Sequence, residues 1–398
     1  MRQRKPVAFL LGPLPAVVAA ARRAGAHPVV VAPDRTVASD REGADRPVRA
    51  DWRDHAELVR ALGERPELRE GAAVFGFDAA GALAAARANE ALGLPGTPVG
   101  AVTALMDKAS LRARVNALGG RPVSFVRCGR ADLVPFLTHL IGYPCVVKPR
   151  AGHGGEGVRR ILDPADAVLA ASAYPRITDL LVEEFLEGPE LTVAALSRGG
   201  RHRILGCARR LPSGGAALAA EGYELPYLMA PAVREEVGRL VRAVLDLAGH
   251  RDGPSHTELV LTAAGPRLVE CHARPGGEEL AALLRLAHGT DPYALAVAAG
   301  LGLPGPPGRP RAAHAGVRYL DFPAGPVPLA GLAGIRALPG VVRVALRIPP
   351  GAVVRHPPTG GRHHAWVLAT APTAFELAAT LSRATELLGP RLPRPVGP

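Results

Sequence analysis

Two runs rich in β-branched and apolar residues, Ser255-His-Thr-Glu-Leu-Val-Leu-Thr262 and Pro266-Arg-Leu-Val-Glu-Cys-His272, are separated only by Ala263-Ala264-Gly265. This spacing predicts a hairpin with a three-residue loop whose glycine takes the left-handed position. In that register Glu258 lies opposite Glu270. Strand alternation then puts Glu258, Glu270, His272 and Arg274 on one face, and Leu259, Leu261, Val269 and Cys271 on the other. Acids directly opposed on a sheet repel each other unless cations sit between them. Hard oxygen ligands around a partly hydrated Mg²⁺ that bridges nucleotide phosphates resolve the conflict; carboxylates paired with arginines such as Arg274 are the alternative. His256 shares the strand face of Glu258, where it either binds substrate or orients a neighbouring group.

The rest of the chain alternates strands and helices. Residues 1 to about 104 carry strand patterns at Val7 to Leu11, Pro28 to Ala32 and Ala72 to Phe75 with Ala-rich helices between, the signature of a parallel sheet. Met1 to Ala26 imitates a signal peptide, but its strand, helix, strand pattern predicts a βαβ unit and a cytoplasmic location. No G-x-G-x-x-G turn follows the first strand, so a dinucleotide site is not supported. Ala101 to Leu118 reads as one helical stretch holding Lys108. A small strand-rich segment follows, with strands at Pro144 to Lys148, Val158 to Ile161 and Leu180 to Phe185. The Pro/Gly-dense Leu303 to Arg311 reads as a linker, and beyond it lie strand patterns at Gly316 to Leu320, Val341 to Ile348 and Ala365 to Ala369 and a helix from Ala374.

Composition excludes several classes. With 48% apolar and 21% charged residues in 398, the chain is globular, and it holds no uncharged run of the ~20 residues a membrane span needs. A net charge of +12 raises nucleic acid, but aromatics are only 4% and the basic residues are spread out. The densest basic stretch, Arg198-Gly-Gly-Arg-His-Arg203, sits between apolar runs and reads as an exposed hairpin turn. A small anionic substrate such as a nucleotide fits better than nucleic acid or membrane. The four cysteines lie far apart with no CxxC pair, which predicts reduced thiols.

Lysine is rare, three residues against forty-five arginines, so Lys108 and Lys148 stand out as point charges for a phosphate. Lys148 ends a strand pattern and is followed by Gly152, Gly154, Gly155 and Gly157, where a backbone without side chains can approach phosphate oxygens or simply form a Gly-rich hairpin. The GxxxxGK[ST] string is missing, so this is not a Walker loop. In Leu181-Val-Glu-Glu-Phe-Leu-Glu-Gly-Pro-Glu190 a strand end can offer backbone groups to an adenine edge, with a carboxylate past the turn for ribose hydroxyls, or it is a solvated acidic end.

Taken together, MDKASLR (Met106 to Arg112), VVKPRAGHGGEG, LVEEFLEGPE, HTELVLT and LVECHARPGG resemble, in order, the motifs of the ATP-grasp carboxylate-amine ligases, and the chain is similar to the bacterial L-amino-acid ligases from about residue 100 to 300. The resemblance implies an α/β and α+β ATP-grasp fold: a Rossmann-like domain over 1–104, a linker helix and lid over 105–187, a catalytic subdomain over 188–302 and a C-terminal α/β subdomain over 303–398. It implies that Lys108 and Lys148 hold ATP phosphates under Gly154 and Gly155, that Glu183, Glu184, Phe185 and Leu186 meet adenine, and that Glu190 takes the ribose. Glu258 and Glu270 would hold Mg²⁺, or Mn²⁺ in its place, with His272 where the family usually has an asparagine ligand, although imidazole matches Mg²⁺ poorly. Arg274, Pro275, Gly276 and Gly277 would face an acyl phosphate or substrate carboxylate. Arg210, in preference to Arg209, would be the catalytic arginine after the hinge strands. Glu221 is the candidate amine partner, in a loop whose usual histidine is replaced by Tyr223, and His256 is a candidate substrate contact.

The activity so implied is activation of a carboxylate, an amino acid above all, as an acyl phosphate that an amine attacks, giving an amide or dipeptide, ADP and phosphate. The partners implied are small carboxylates and amines and a second copy in a homodimer. A purine-type or biotin-carboxylase-like ATP-grasp enzyme and a non-catalytic nucleotide-binding regulator are the alternatives.

Overall fold

The computed structural model describes residues 5–33, 47–119, 122–150, 157–174, 179–212, 220–355 and 363–388. The N-terminal part is a parallel sheet in the order β3-β2-β1-β4, built from β1 (Val7–Leu11), β2 (His27–Ala32), β3 (Val48–Arg49) and β4 (Ala72–Phe75). All five residues of β1 are buried, because helices cover both faces: α1 (Pro15–Arg23) on one, α2 (His55–Gly63) and α3 (Ala79–Ala91) on the other. The run Val7 to Leu11 is thus sheet interior, as its uninterrupted apolar pattern predicts.

The expected single helix over 101–118 is two, α4 (Val99–Met106) and α5 (Lys108–Asn116). Asp107 between them is extended and its side chain accepts from the Ser110 N–H, so it caps the second helix. An aspartate that satisfies the backbone donors of a helix start favours a break there. Lys108 is thereby placed on the first turn of α5.

A small antiparallel sheet follows in the order β5-β8-β6-β7: β5 (Phe125–Cys128), β6 (Cys145–Pro149), β7 (Arg159–Ile161) and β8 (Leu180–Glu184). Helices α6 (Val134–Ile141) and α7 (Pro164–Ala173) pack against it around Val147, Leu180 and Val182.

The largest sheet has eight strands in the order β13-β12-β9-β10-β11-β14-β18-β16. It contains β9 (Glu190–Arg198), β10 (Arg201–Pro212), β11 (Ala220–Leu225), β12 (Gly253–Thr262), β13 (Gly265–His272), β14 (His314–Leu320), β16 (Val341–Leu346) and β18 (Ala365–Ala371); β15 (Gly325–Pro326) and β17 (Val353–Val354) pair separately. The Pro/Gly stretch 303–311 connects strands of one sheet, since β14 pairs with β11 across it. Leu191, Val193 and Ala195 of β9 point to one face, under the amphipathic α8 (Pro231–Ala248), while Ala194 points to the other, under α9 (Glu278–His288). The remaining helices are α10 (Pro292–Gly300) against α1, and α11 (Leu329–Arg336) and α12 (Ala374–Glu386) over the C-terminal strands. Among the described residues no helix is long and apolar enough to cross a membrane. The cysteines are free, and three are buried.

Candidate active site

The hairpin β12–β13 pairs Glu258 with Glu270 and His256 with His272, as the alternation predicts, but by a different route. Thr262 pairs with Gly265, so the turn has two residues rather than three, and a register shift after Glu258 pairs Leu259 with Leu268. Val269 is the extra residue of that bulge. Leu268, not Val269, therefore joins Leu259, Leu261 and Cys271 in the core under α8.

The two opposed carboxylates are unequal. Glu270 has Lys108 Nζ 3.3 Å from Oε2 and His272 Nε2 3.0 Å from Oε1. Burial raises its pKa, but the His272 contact and the Lys108 and Lys148 charges outweigh that and hold the group well below the usual carboxylate range. The Glu258 side chain retains 26% of its exposure, and burial together with the Glu270 charge pushes its pKa up. Among the described residues no three His, Cys, Asp or Glu side chains form a metal-ligand group. The expected third ligand His272 is turned onto Glu270 and stacked on His256 at 4.9 Å, so it is not set as one. His256 is buried, which holds its pKa well below 6.5, and its Nδ1 lies 3.3 Å from the Arg274 carbonyl. What remains for a cation is a pair of hard oxygen donors, one under-neutralised; this suits Mg²⁺ completed by water and phosphate oxygens.

Lys148 is 5% exposed at the end of β6, with Nζ 2.6 Å from Glu183 Oε2. Arg112, one helical turn beyond Lys108 on α5, reaches the same carboxylate through Nε at 3.1 Å and donates from Nη1 to the Leu268 carbonyl at 2.5 Å. Sequence reasoning quoted Arg112 within a motif without giving it a role; its only signal was the spacing of four from Lys108. The Glu183 side chain is thus committed to cations and does not face a base. The N–H groups of Glu184 and Phe185 are also spent, on the carbonyls of Ser124 and Pro144. Of the four residues expected at adenine, Leu186 is the one with neither kind of commitment. Gly154 and Gly155 lie outside the described residues; Gly157 adopts φ +69°, the left-handed region.

Burial alone would raise the Glu183 pKa, yet Lys148 and Arg112 bring it from 4.5 to about 2. A carboxyl depressed in the folded state adds stability that is fully present above its unfolded value and lost as pH falls through the folded one. We expect the unfolding free energy to drop by roughly 3 kcal/mol from this group between about pH 5 and pH 2. Urea titrations at several pH values should show that increment in the parent and not in Glu183→Gln.

Arg210 forms an ion pair with Glu190, its cross-strand partner, and stands beside Tyr223 and Glu258, whereas Arg209 is exposed. Alternation along β10 thus puts Arg210, not Arg209, on the side of Glu190 and Glu258. Glu221 meets Arg318 of β14 at 3.4 Å, a partner not foreseen because the two are 97 residues apart. Arg274 has Nη1 3.2 Å from the Pro275 carbonyl, and its buried Nε has no hydrogen-bond partner among the described residues. Burial lowers its pKa, against the charges of Glu270 and Glu258. Pro275 and Gly276 are buried, and Gly277 is the N-cap of α9. A half-buried guanidinium whose Nε donor is orphaned among the described residues, beside a helix start, is suited to an anionic substrate group.

A family model for the ATP-grasp domain matches residues 141–281, and one for the L-amino acid ligase C-terminal domain 2 matches 318–392. Among curated proteins the chain is 26% identical to the uncharacterized protein y4rH of Sinorhizobium fredii, over 93% of this chain and 78% of that protein. It is 30% identical to carnosine synthase 1 of Gallus gallus over 73% of this chain, which spans only 32% of that relative's length. The solved L-amino acid ligase of Bacillus licheniformis shares the fold, with a TM-score of 0.78 at 22% identity over 96% of this chain and 98% of that one. The ATP-grasp match covers Lys148, Glu183 and the carboxylate pair but begins after Lys108, and the ligase C-terminal match follows it, so the chain carries an ATP-grasp domain followed by an L-amino acid ligase C-terminal domain.

Proposed function

We propose that this protein joins a small carboxylate, an amino acid, to an amine at the expense of ATP, releasing ADP and phosphate. The observation that carries the reading is the ion pair of Lys108 with Glu270, the pairing of Glu270 with Glu258, and the charges of Lys148 and Arg274 close to them. Two lysines and a carboxylate pair suit a magnesium-nucleotide, and phosphoryl transfer needs positioning and charge neutralisation more than covalent help. Mg²⁺ held by Glu258 and Glu270 would supply neutralisation of the phosphate charge. Lys148 and Lys108 would anchor phosphate oxygens, Gly154 and Gly155 would cover them, and the Leu186 backbone and Glu190 would take adenine and ribose. Arg274 would orient the substrate carboxylate toward the transferred phosphoryl group, and Arg210 would neutralise the oxyanion that forms when the amine attacks. Glu221, held by Arg318, would meet the ammonium group of the second substrate.

The match to the ligase C-terminal domain over residues 318–392 supports this reading over a bicarbonate-using enzyme. The test is ADP release over pairs of amino acids with mass detection of the product. Amino-acid-dependent ADP release with a condensed product is expected. Release that responds to bicarbonate and to no amino acid would overturn it, and so would nucleotide binding without turnover across a broad panel.

A further inference from the structure

At the far end of β9 and β10 from Glu190 and Arg210, the turn Gly199-Gly200 brings Arg198 and Arg201 directly opposite each other, and Arg203 opposite Leu196. Directly paired residues of an antiparallel ribbon point to the same side, so the three arginines share one face. The intervening residues point the other way: Ser197 Oγ lies 2.7 Å from His202 Nδ1, and His202 Nε2 lies 3.1 Å from Asp246 of α8. Like charges opposed on a ribbon are destabilising. Yet among the described residues none of the three arginines forms an ion pair with a carboxylate.

Their face opens on a cavity of about 470 Å³ whose other wall is formed by the end of α9, the start of α10 and the Pro/Gly stretch after it. The carboxylate in that wall, Asp291, is already spent: Arg23 Nη2 lies 2.6 Å from Oδ2, and Oδ1 accepts the N–H groups of Tyr293 and Ala294 as the cap of α10. The cavity therefore presents three uncompensated guanidinium groups over a concave floor. Its concavity and lack of aromatic lining suit a compact polyanion rather than a stacked single strand of nucleic acid. Guanidinium forks match phosphate oxygens.

We propose that this cleft is a second, non-catalytic anion site that takes an oligophosphate chain. The chain would come either free or as the tail of a nucleotide.

The test is calorimetric titration of the full-length protein with sodium tripolyphosphate in low salt, with excess magnesium-ADP to occupy the catalytic cleft. The parent should bind one equivalent, and added NaCl should weaken that binding. Arg201→Gln/Arg203→Gln should bind at least about tenfold more weakly. These arginines lie outside the catalytic cleft, so the double variant should release ADP at the parent rate. GTP as a second probe separates the sources. Arginine-dependent GTP binding identifies a nucleotide tail, and tripolyphosphate binding without GTP binding identifies a free oligophosphate; either supports the site. Equal tripolyphosphate affinity in parent and variant would overturn it. An arginine-dependent affinity for single-stranded oligonucleotide without any for tripolyphosphate would do so as well.

Discussion

Glu258→Gln should make the resting protein more stable while abolishing its turnover. The Glu258 carboxylate faces Glu270 across the hairpin and its pKa is pushed up, so removing its charge relieves repulsion and eases desolvation. A gain of about 0.5–1 kcal/mol in urea unfolding without nucleotide is expected. ADP release should nevertheless fall by about 10²–10³-fold, the usual cost of removing one electrostatic stabiliser from a transition state. Glu270→Gln should lose activity to a similar degree but also lose stability, because the buried Lys108 ammonium loses the Glu270 carboxylate. If Glu258→Gln were both less stable and fully active, the opposed pair would be an ordinary structural feature.

Lys148→Ala is expected to lower both stability and ADP release. Glu183 would keep Arg112 but lose the nearer cation, so the cost should be about 2–3 kcal/mol, below the ~3–5 kcal/mol of leaving a buried charge wholly unpaired. ADP release should drop at least about 10²-fold through loss of the phosphate contact. Arg112→Met separates the two effects: it breaks the same buried cluster without touching the proposed phosphate site. Melting temperature and ADP release measured together should show Arg112→Met destabilised yet active well below its midpoint. Activity in Lys148→Ala within tenfold of the parent would remove the lysine from the nucleotide site.

The carboxylate pair was legible because period-two alternation constrains both strands at once. It survived a misread turn, since one residue fewer in the loop is offset by one extra at Val269. Lys108 and Lys148 were legible because arginine had displaced lysine elsewhere. The break at Asp107 was not read, although an acidic residue before Lys-Ala-Ser is an ordinary helix start. The Arg112–Glu183–Lys148 cluster joins residues 35 to 71 positions apart on three separate elements, and no local pattern carries such a contact. Reading Glu183 as part of an adenine hinge left its side-chain partners, Lys148 and Arg112, unread. The single sheet spanning the Pro/Gly stretch was equally invisible, because a flexible-looking composition says nothing about which strands meet after it.

Asp107 lies immediately before Lys108, and Arg150 two residues after Lys148. Their side chains meet, Nη2 to Oδ2 at 2.5 Å and Nε to Oδ1 at 2.9 Å, while Arg150 Nη1 also holds Asp179 at 2.9 Å. This two-pronged link fixes the span between the two ammonium groups independently of either one's own anion. The small sheet and the helix pair α4–α5 therefore cannot slide apart at this corner without first unfastening it, which makes the gauge between the lysines a property of a neighbouring pair of residues.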